Sequence, residues 1–215
     1  MYRNTFLSVM FLACCFNGSL CAQSDAQIYE RTCDAKTYPF SDPSPVATPN
    51  NSYYPYFRFD GFSMQAQEKQ WKMVVLENDY VKLTVTPEIG GKIWGAIDKV
   101  NNKEFVYTNG VVKFRDVAMR GPWTSGGIEF NFGIIGHAPT CSTPIDYLTK
   151  KNVDGSVSCH IFSYEWITRT VWNVEINLPK DKAYFTTHTT WFNQSSIDQP
   201  YYQWMNAGYA TKTGT

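Results

Sequence analysis

The run Tyr80-Val81-Lys82-Leu83-Thr84-Val85-Thr86 alternates apolar and polar side chains without a break. Successive side chains of an extended strand point to opposite faces, so Val81, Leu83 and Val85 share one face. Such a segment is a half-buried strand, and its apolar side needs a second layer to cover it. The same texture recurs along the chain. Pro87 to Gly91 form a turn with a glycine pair, Lys92 to Ile97 make a short apolar run, and Glu104 to Tyr107 return after the polar turn Asp98 to Lys103. Further on, Ser156 to Thr168 and Thr170 to Leu178 are rich in β-branched and aromatic residues, and the turn Pro179 to Lys182 leads into Ala183 to Phe192. A last aromatic run spans Tyr201 to Tyr209. Short strands separated by turn residues predict an all-β, antiparallel sandwich, with no helix longer than about three turns after residue 60.

Ahead of this region, residues 23–65 carry Pro39, Pro43, Pro45, Pro49 and Pro55 among Ser, Thr, Asp and Asn. That composition predicts an irregular, proline-rich leader running over a surface, with at most isolated strand pieces. The sandwich is expected over residues 66–215. The chain ends directly after a strand-like run, so a C-terminal continuation of the same chain, and hence a sandwich truncated at that end, is expected.

Residues 1–22 read as a secretory signal: Arg3 is the positive n-region, Thr5 to Phe16 the apolar h-region, and Ser19 to Ala22 a small-residue cleavage site. The apolar run is too short for a spanning helix, which needs about 20 residues. Export to the periplasm or cell surface follows, with lipid attachment at Cys14 or Cys15 as the alternative. The remaining cysteines are Cys33, Cys141 and Cys159. They lack zinc-finger spacing; one disulfide is one reading, and three small buried or partly buried hydrophobes the preferred one. The 19 basic and 19 acidic residues balance. A nucleic-acid binder carries a basic surplus, so nucleic acid is excluded, and a neutral partner such as an oligosaccharide fits.

Chemistry-bearing residues concentrate between Lys113 and Tyr147, where Arg115, Asp116, Arg120, Trp123, Glu129, Asn131 and His137 lie among glycines and prolines. Within Gly127-Ile128-Glu129-Phe130-Asn131-Phe132 the two-residue period puts Glu129 and Asn131 on one face and the apolar residues on the other. A sugar pocket needs an aromatic plate for the ring and convergent polar groups for the hydroxyls. Glu129 and His137 are the candidate catalytic pair; Arg120, Trp123 and Asn131 are the candidate substrate-binding residues, expected to line one concave surface. The competing reading of Trp123 is a core residue, and of Arg115 and Asp116 a weak surface pair. His160 and His188 lie within strands and are expected to be structural. No metal-ligand spacing occurs, and no metal or other cofactor is expected.

Two family resemblances follow from these runs. Leu76 to Trp94, with its Pro87-Glu88-Ile89-Gly90-Gly91-Lys92-Ile93 turn, resembles the opening of galactose-mutarotase-like (aldose 1-epimerase-like) domains, and Ala96 to Tyr107 resembles the hairpin that follows in them. Val112 to Asp116 with Met119 to Gly133 resembles DUF5107, a domain of unknown function found in exported proteins of Bacteroidetes-type bacteria, often ahead of tetratricopeptide repeats. The resemblance covers roughly residues 70–210. It implies a galactose-mutarotase-like β-supersandwich, of which this chain is an incomplete N-terminal portion, and carbohydrate binding with a glycoside-hydrolase-like role. The epimerase glutamate comes from later in such domains, so Glu129 and His137 are nominated by their own chemistry.

Three functions fit these observations. The first is a carbohydrate-active enzyme domain, glycoside-hydrolase-like, with Glu129 as one carboxyl group and Asp116, Asp146 or a residue beyond Thr215 as the second. The second is a non-catalytic sugar-binding module, and the third a structural exported scaffold.

Overall fold

The computed structural model describes residues 24–47, 49, 54–117, 121–133 and 136–211. The signal segment with Cys14 and Cys15, and Arg120, lie outside the described residues. Every regular element among the described residues is a strand. In chain order these are β1 (Gln27–Tyr38), β2 (Gln67–Glu77), β3 (Val81–Thr86), β4 (Lys92–Asp98), β5 (Lys103–Val106), β6 (Val112–Lys113) and β7 (Arg115–Asp116). The second half adds β8 (Pro122–Trp123), β9 (Ile128–Phe132), β10 (Asp146–Lys151), β11 (Val157–Glu165), β12 (Thr170–Leu178), β13 (Thr186–Asn193) and β14 (Gln203–Ala207).

The expected all-β sandwich is what forms. An eight-stranded sheet runs β14-β9-β4-β3-β2-β1-β6, with β5 beside the far end of β4. A four-stranded antiparallel sheet runs β10-β11-β12-β13, and β7 and β8 make a small ribbon. Between the two main sheets lie Leu76, Leu83, Val85, Ile93, Phe130 and Phe132 from the first and Cys159, Ile161, Trp172, Val174 and Ile176 from the second. Phe132 and Trp172 stack across this seam with centroids 4.5 Å apart. Burying aliphatic side chains of this size contributes roughly 1.5–3 kcal/mol each, which makes the inter-sheet layer the main source of stability.

The large sheet is apolar on its other face as well. Trp71 and Met73 of β2 alternate with Val74 and Leu76, and they pack with Ile89, Trp94, Val112 and Phe114 in a second cluster. A register shift between Thr84 and Val85, opposite β4, lets Ile93 and Ala96 both enter the first core although their spacing is odd. It leaves Lys92 and Trp94 on the opposite face.

The reading of residues 23–65 as an irregular leader is corrected. β1 takes 12 residues of that stretch and pairs antiparallel with β2 from Gln27↔Glu77 to Thr37↔Gln67. Its prolines begin only at Pro39, after the strand has ended. The strand hides from a pattern search because most of its side chains are polar and exposed; Ile28 reaches one core while Cys33 and Ala35 reach the other. The sheet therefore starts at Gln27, ahead of the expected boundary at residue 66.

Gly90 and Gly91 adopt φ of 66° and 68°, the left-handed region that glycine alone enters freely. A Cβ on Gly90 would also lie 2.6 Å from the backbone of Cys141, so this turn is a docking point for the 136–145 loop. Among the described residues no disulfide joins Cys33, Cys141 or Cys159 to another cysteine. Burial pushes the Cys159 thiol up to about 12.

Candidate functional site

β9 places Glu129 in the middle of a sheet strand, flanked by β4 on one side and β14 on the other. Ile128, Phe130 and Phe132 face the inter-sheet core, so Glu129 and Asn131 face the opposite side, as the two-residue period requires. The β7–β8 ribbon carries Trp123 over that face, through the pairs Arg115↔Trp123 and Asp116↔Pro122. The Cys141 thiol donates to the Pro122 carbonyl at 3.4 Å and ties the ribbon to the 136–145 loop. That loop supplies His137.

Three of the nominated residues meet directly. Trp123 Nε1 donates to Glu129 Oε2 at 2.5 Å, and His137 Nδ1 lies 2.5 Å from Glu129 Oε1. Where the carboxylate is ionised it only accepts, and Nδ1 is then the protonated nitrogen of this contact. Nε2 then has no hydrogen-bond partner among the described residues. The fourth, Asn131, accepts from the Ala138 N–H through Oδ1 at 2.8 Å and so anchors the residue after His137. That contact orients the amide, since a backbone N–H needs the oxygen. Asn131 Nδ2 is buried and has no partner among the described residues.

Glu129 is only 2% exposed, while the His137 side chain keeps 14% and Trp123 is half-buried. The carboxylate is thus enclosed by its partners instead of lining an open surface. Three cavities of 250–280 Å³ are lined, among the described residues, by other side chains.

Several members of this cluster escape a reading of the sequence. Lys92, at the start of β4, is 1% exposed, and its ammonium donates to Thr124 O at 2.7 Å and Thr124 Oγ1 at 3.0 Å. Burial lowers its pKa to about 8, against the opposing pull of the Glu129 charge and, less strongly, of Cys141. A lysine placed two residues before Trp94 in an apolar run is a signal that this side chain turns inward with the tryptophan. Trp204 of β14 sits opposite Asn131 and packs its ring against His137 at 4.9 Å between centroids. Its Nε1 is a second buried donor on this face with no partner among the described residues. Only the pairing of β14 with β9, a strand far earlier in the chain, brings it there.

The other residues from the motif-rich stretch lie elsewhere. Arg115 donates to the carbonyls of Phe114 at 2.6 Å and Ser63 at 3.4 Å, and its guanidinium lies over the Phe62 ring. Asp116 is partly buried, and burial followed by the nearby Asp60 raises its pKa. Asp146 opens β10 and is exposed. His160 and His188 are both register partners of Glu175 in the four-stranded sheet. Among the described residues no group of three or more His, Cys, Asp or Glu is arranged to hold a metal ion. No helix among them is long and apolar enough to cross a membrane.

Two comparisons bear on this arrangement. The family model for DUF5107, a domain of unknown function, matches residues 48–214. The fold is similar to the crystal structure of a TPR-domain containing protein from Parabacteroides distasonis, with a TM-score of 0.77 and 27% identity over 86% of this chain. The match spans 32% of that larger chain, so the present chain corresponds to about a third of its length.

Proposed function

The chain belongs to the DUF5107 family, and on that premise we propose that it is a carbohydrate-handling domain in which His137 meets the sugar and Glu129 holds His137 in place. The observation that carries the reading is the doubly bonded carboxylate, with one oxygen on the imidazole and the other on the Trp123 indole. With Nδ1 committed to Glu129, Nε2 is the nitrogen left to share or move a proton with a hydroxyl. Trp123 and Trp204 flank the imidazole. Aromatic faces suit the apolar face of a sugar ring. The unpartnered donors of Asn131 and Trp204 on the same face suit hydroxyl oxygens. Lys92 offsets the charge of Glu129, which favours an uncharged ligand.

In this reading Glu129 is a positioning residue, and the candidate catalytic role passes to His137. Among the described residues Glu129 is the only carboxylate hydrogen-bonded into the cluster. Hydrolysis by two flanking carboxyl groups therefore has less support than sugar binding with proton transfer at His137. The likeness of the Pro87 to Ile93 turn to galactose-mutarotase-like domains supports the same reading, and export directed by residues 1–22 belongs to it.

The test is a glycan screen of the chain followed by calorimetric titration of the glycan that binds. Trp123→Ala is expected to weaken binding about tenfold, the scale of a well-formed aromatic contact. If turnover accompanies binding, His137→Ala lowers it by about 10²-fold or more. A glycan whose binding ignores both substitutions, or no bound glycan at all, overturns the proposal.

A further inference from the structure

A second buried glutamate lies outside the cluster just described. Glu165 ends β11, and the chain turns back through residues 166–169 into β12. Thr168 donates to Glu165 Oε2 twice, through its N–H and its hydroxyl, both at 2.6 Å. The same hydroxyl lies 2.8 Å from Thr170 Oγ1, so the turn fastens one carboxylate oxygen rigidly. Oε1 is buried and has no partner among the described residues, although Glu165 as a whole is 5% exposed.

Glu165 lines a cavity of about 280 Å³, just below the usual range for ligand pockets. Tyr54, Phe57, Tyr164, Trp166 and Trp172 contribute aromatic surface to it. Trp166 is 66% exposed and meets Tyr164 edge-on with centroids 5.0 Å apart. Glu165 is the one carboxylic acid among the described residues that line it, and no described lysine, arginine or histidine does. No salt bridge to Glu165 occurs among the described residues, and Arg169 in the same turn is exposed.

An ionised carboxylate taken out of water costs several kcal/mol unless a charge or sufficient donors offset it. Among the described residues Glu165 Oε2 has two donors and Oε1 has none. Aromatic rings attract cations through their faces, and most strongly at desolvated sites. We propose that this cavity binds a small ligand bearing a protonated amine, with the ammonium at the Glu165 carboxylate and its carbon frame against Trp166 and Tyr164. The site is separate from the Glu129 cluster and does not depend on the sugar reading of that cluster.

Glucosamine and glucose are a matched probe pair, differing at one position in an ammonium against a hydroxyl. Titrations of the chain are run below the pKa of the amine and monitored by nuclear magnetic resonance of the tryptophan indole N–H groups. The expected result is saturable binding of glucosamine, at least about tenfold tighter than glucose, the scale of a hydrogen bond to a charged group. Glu165→Gln keeps an acceptor for Thr168 but removes the charge, and is expected to weaken glucosamine about tenfold or more. Trp166→Ala changes an exposed residue and is expected to cost about 3- to 30-fold. Both variants leave glycan binding at the Glu129 cluster unchanged, so a failure here is distinct from a failure there. Equal affinity for glucose and glucosamine, no binding of either, or glucosamine binding indifferent to both substitutions overturns the proposal.

Discussion

Two glutamates are almost sealed inside this protein, and they are held in different ways. Glu129 sits in mid-strand with both carboxylate oxygens bonded, one to Trp123 and one to His137, and with the Lys92 ammonium close enough to feel its charge. Glu165 sits at a strand end with one oxygen fastened by its own turn and the other without a partner among the described residues. Burial alone therefore says little about what an acidic residue does. A carboxylate whose acceptor capacity is spent on neighbouring side chains is placed to orient them. One that keeps an oxygen without a partner retains capacity to accept.

The largest effect expected from this contrast is on stability. Glu129→Ala orphans the Trp123 and His137 N–H groups and leaves Lys92 buried without a counter-charge, and should cost about 3–5 kcal/mol in denaturant unfolding. Glu129→Gln keeps an acceptor and should cost less, about 1–3 kcal/mol. If both variants unfold like wild type, the carboxylate is not the hub described here.

Lys92 provides a second handle of similar size. Its folded pKa is about 8 against an ordinary 10.5, so the folded state releases this proton first as pH rises. Between those two values the unfolded state binds more protons at this site, and the lysine's contribution to stability must increase with pH. Across the window the gain amounts to about 3 kcal/mol, because each pH unit that separates the two values corresponds to about 1.36 kcal/mol. Lys92→Met should lack it, so the difference between wild type and variant should slope upward from about pH 8 to pH 10.5. A flat difference would mean that Lys92 titrates in the folded protein as it does in water. In a Glu129→Gln background the lower edge of that window should move down, because the Glu129 charge works against the burial effect.

The smallest effect belongs to Glu165. Glu165→Ala removes two hydrogen bonds to Thr168 but also removes an unpaired buried oxygen, so its net cost should stay near about 1 kcal/mol. A loss as large as that of Glu129→Ala would erase the contrast between the two sites.

Much of this architecture is legible in the sequence because apolar alternation marks whichever strands bury one face. Val81, Leu83 and Val85 announce β3, and Thr170 to Leu178 coincides with β12. β1 is silent because its partner β2, not its own side chains, holds it in place along nearly its whole length. Within the site, Glu129 and Asn131 are read correctly as sharing a face because a strand's geometry is local. The meeting of Glu129 with Trp123 and His137 depends on a ribbon and a loop close to it in the chain, and that too is within reach of a sequence argument. Trp204 depends on a distant strand pairing, and the enclosure of the carboxylate depends on how all these pieces close. Neither leaves a local trace. Glu165 escapes notice for another reason: its role is set by which oxygen Thr168 occupies, and no pattern of residue types encodes that.

The proposal that ligand meets this protein at His137, oriented by Glu129, is tested most directly by mapping side-chain resonances during titration with a bound oligosaccharide. The largest shifts are expected at the His137 imidazole and at the Trp123 and Trp204 indole N–H groups, with Nδ1 of His137 protonated before and after. Shifts confined to the four-stranded sheet, with His137 and Trp123 unmoved by every glycan that binds, would contradict it.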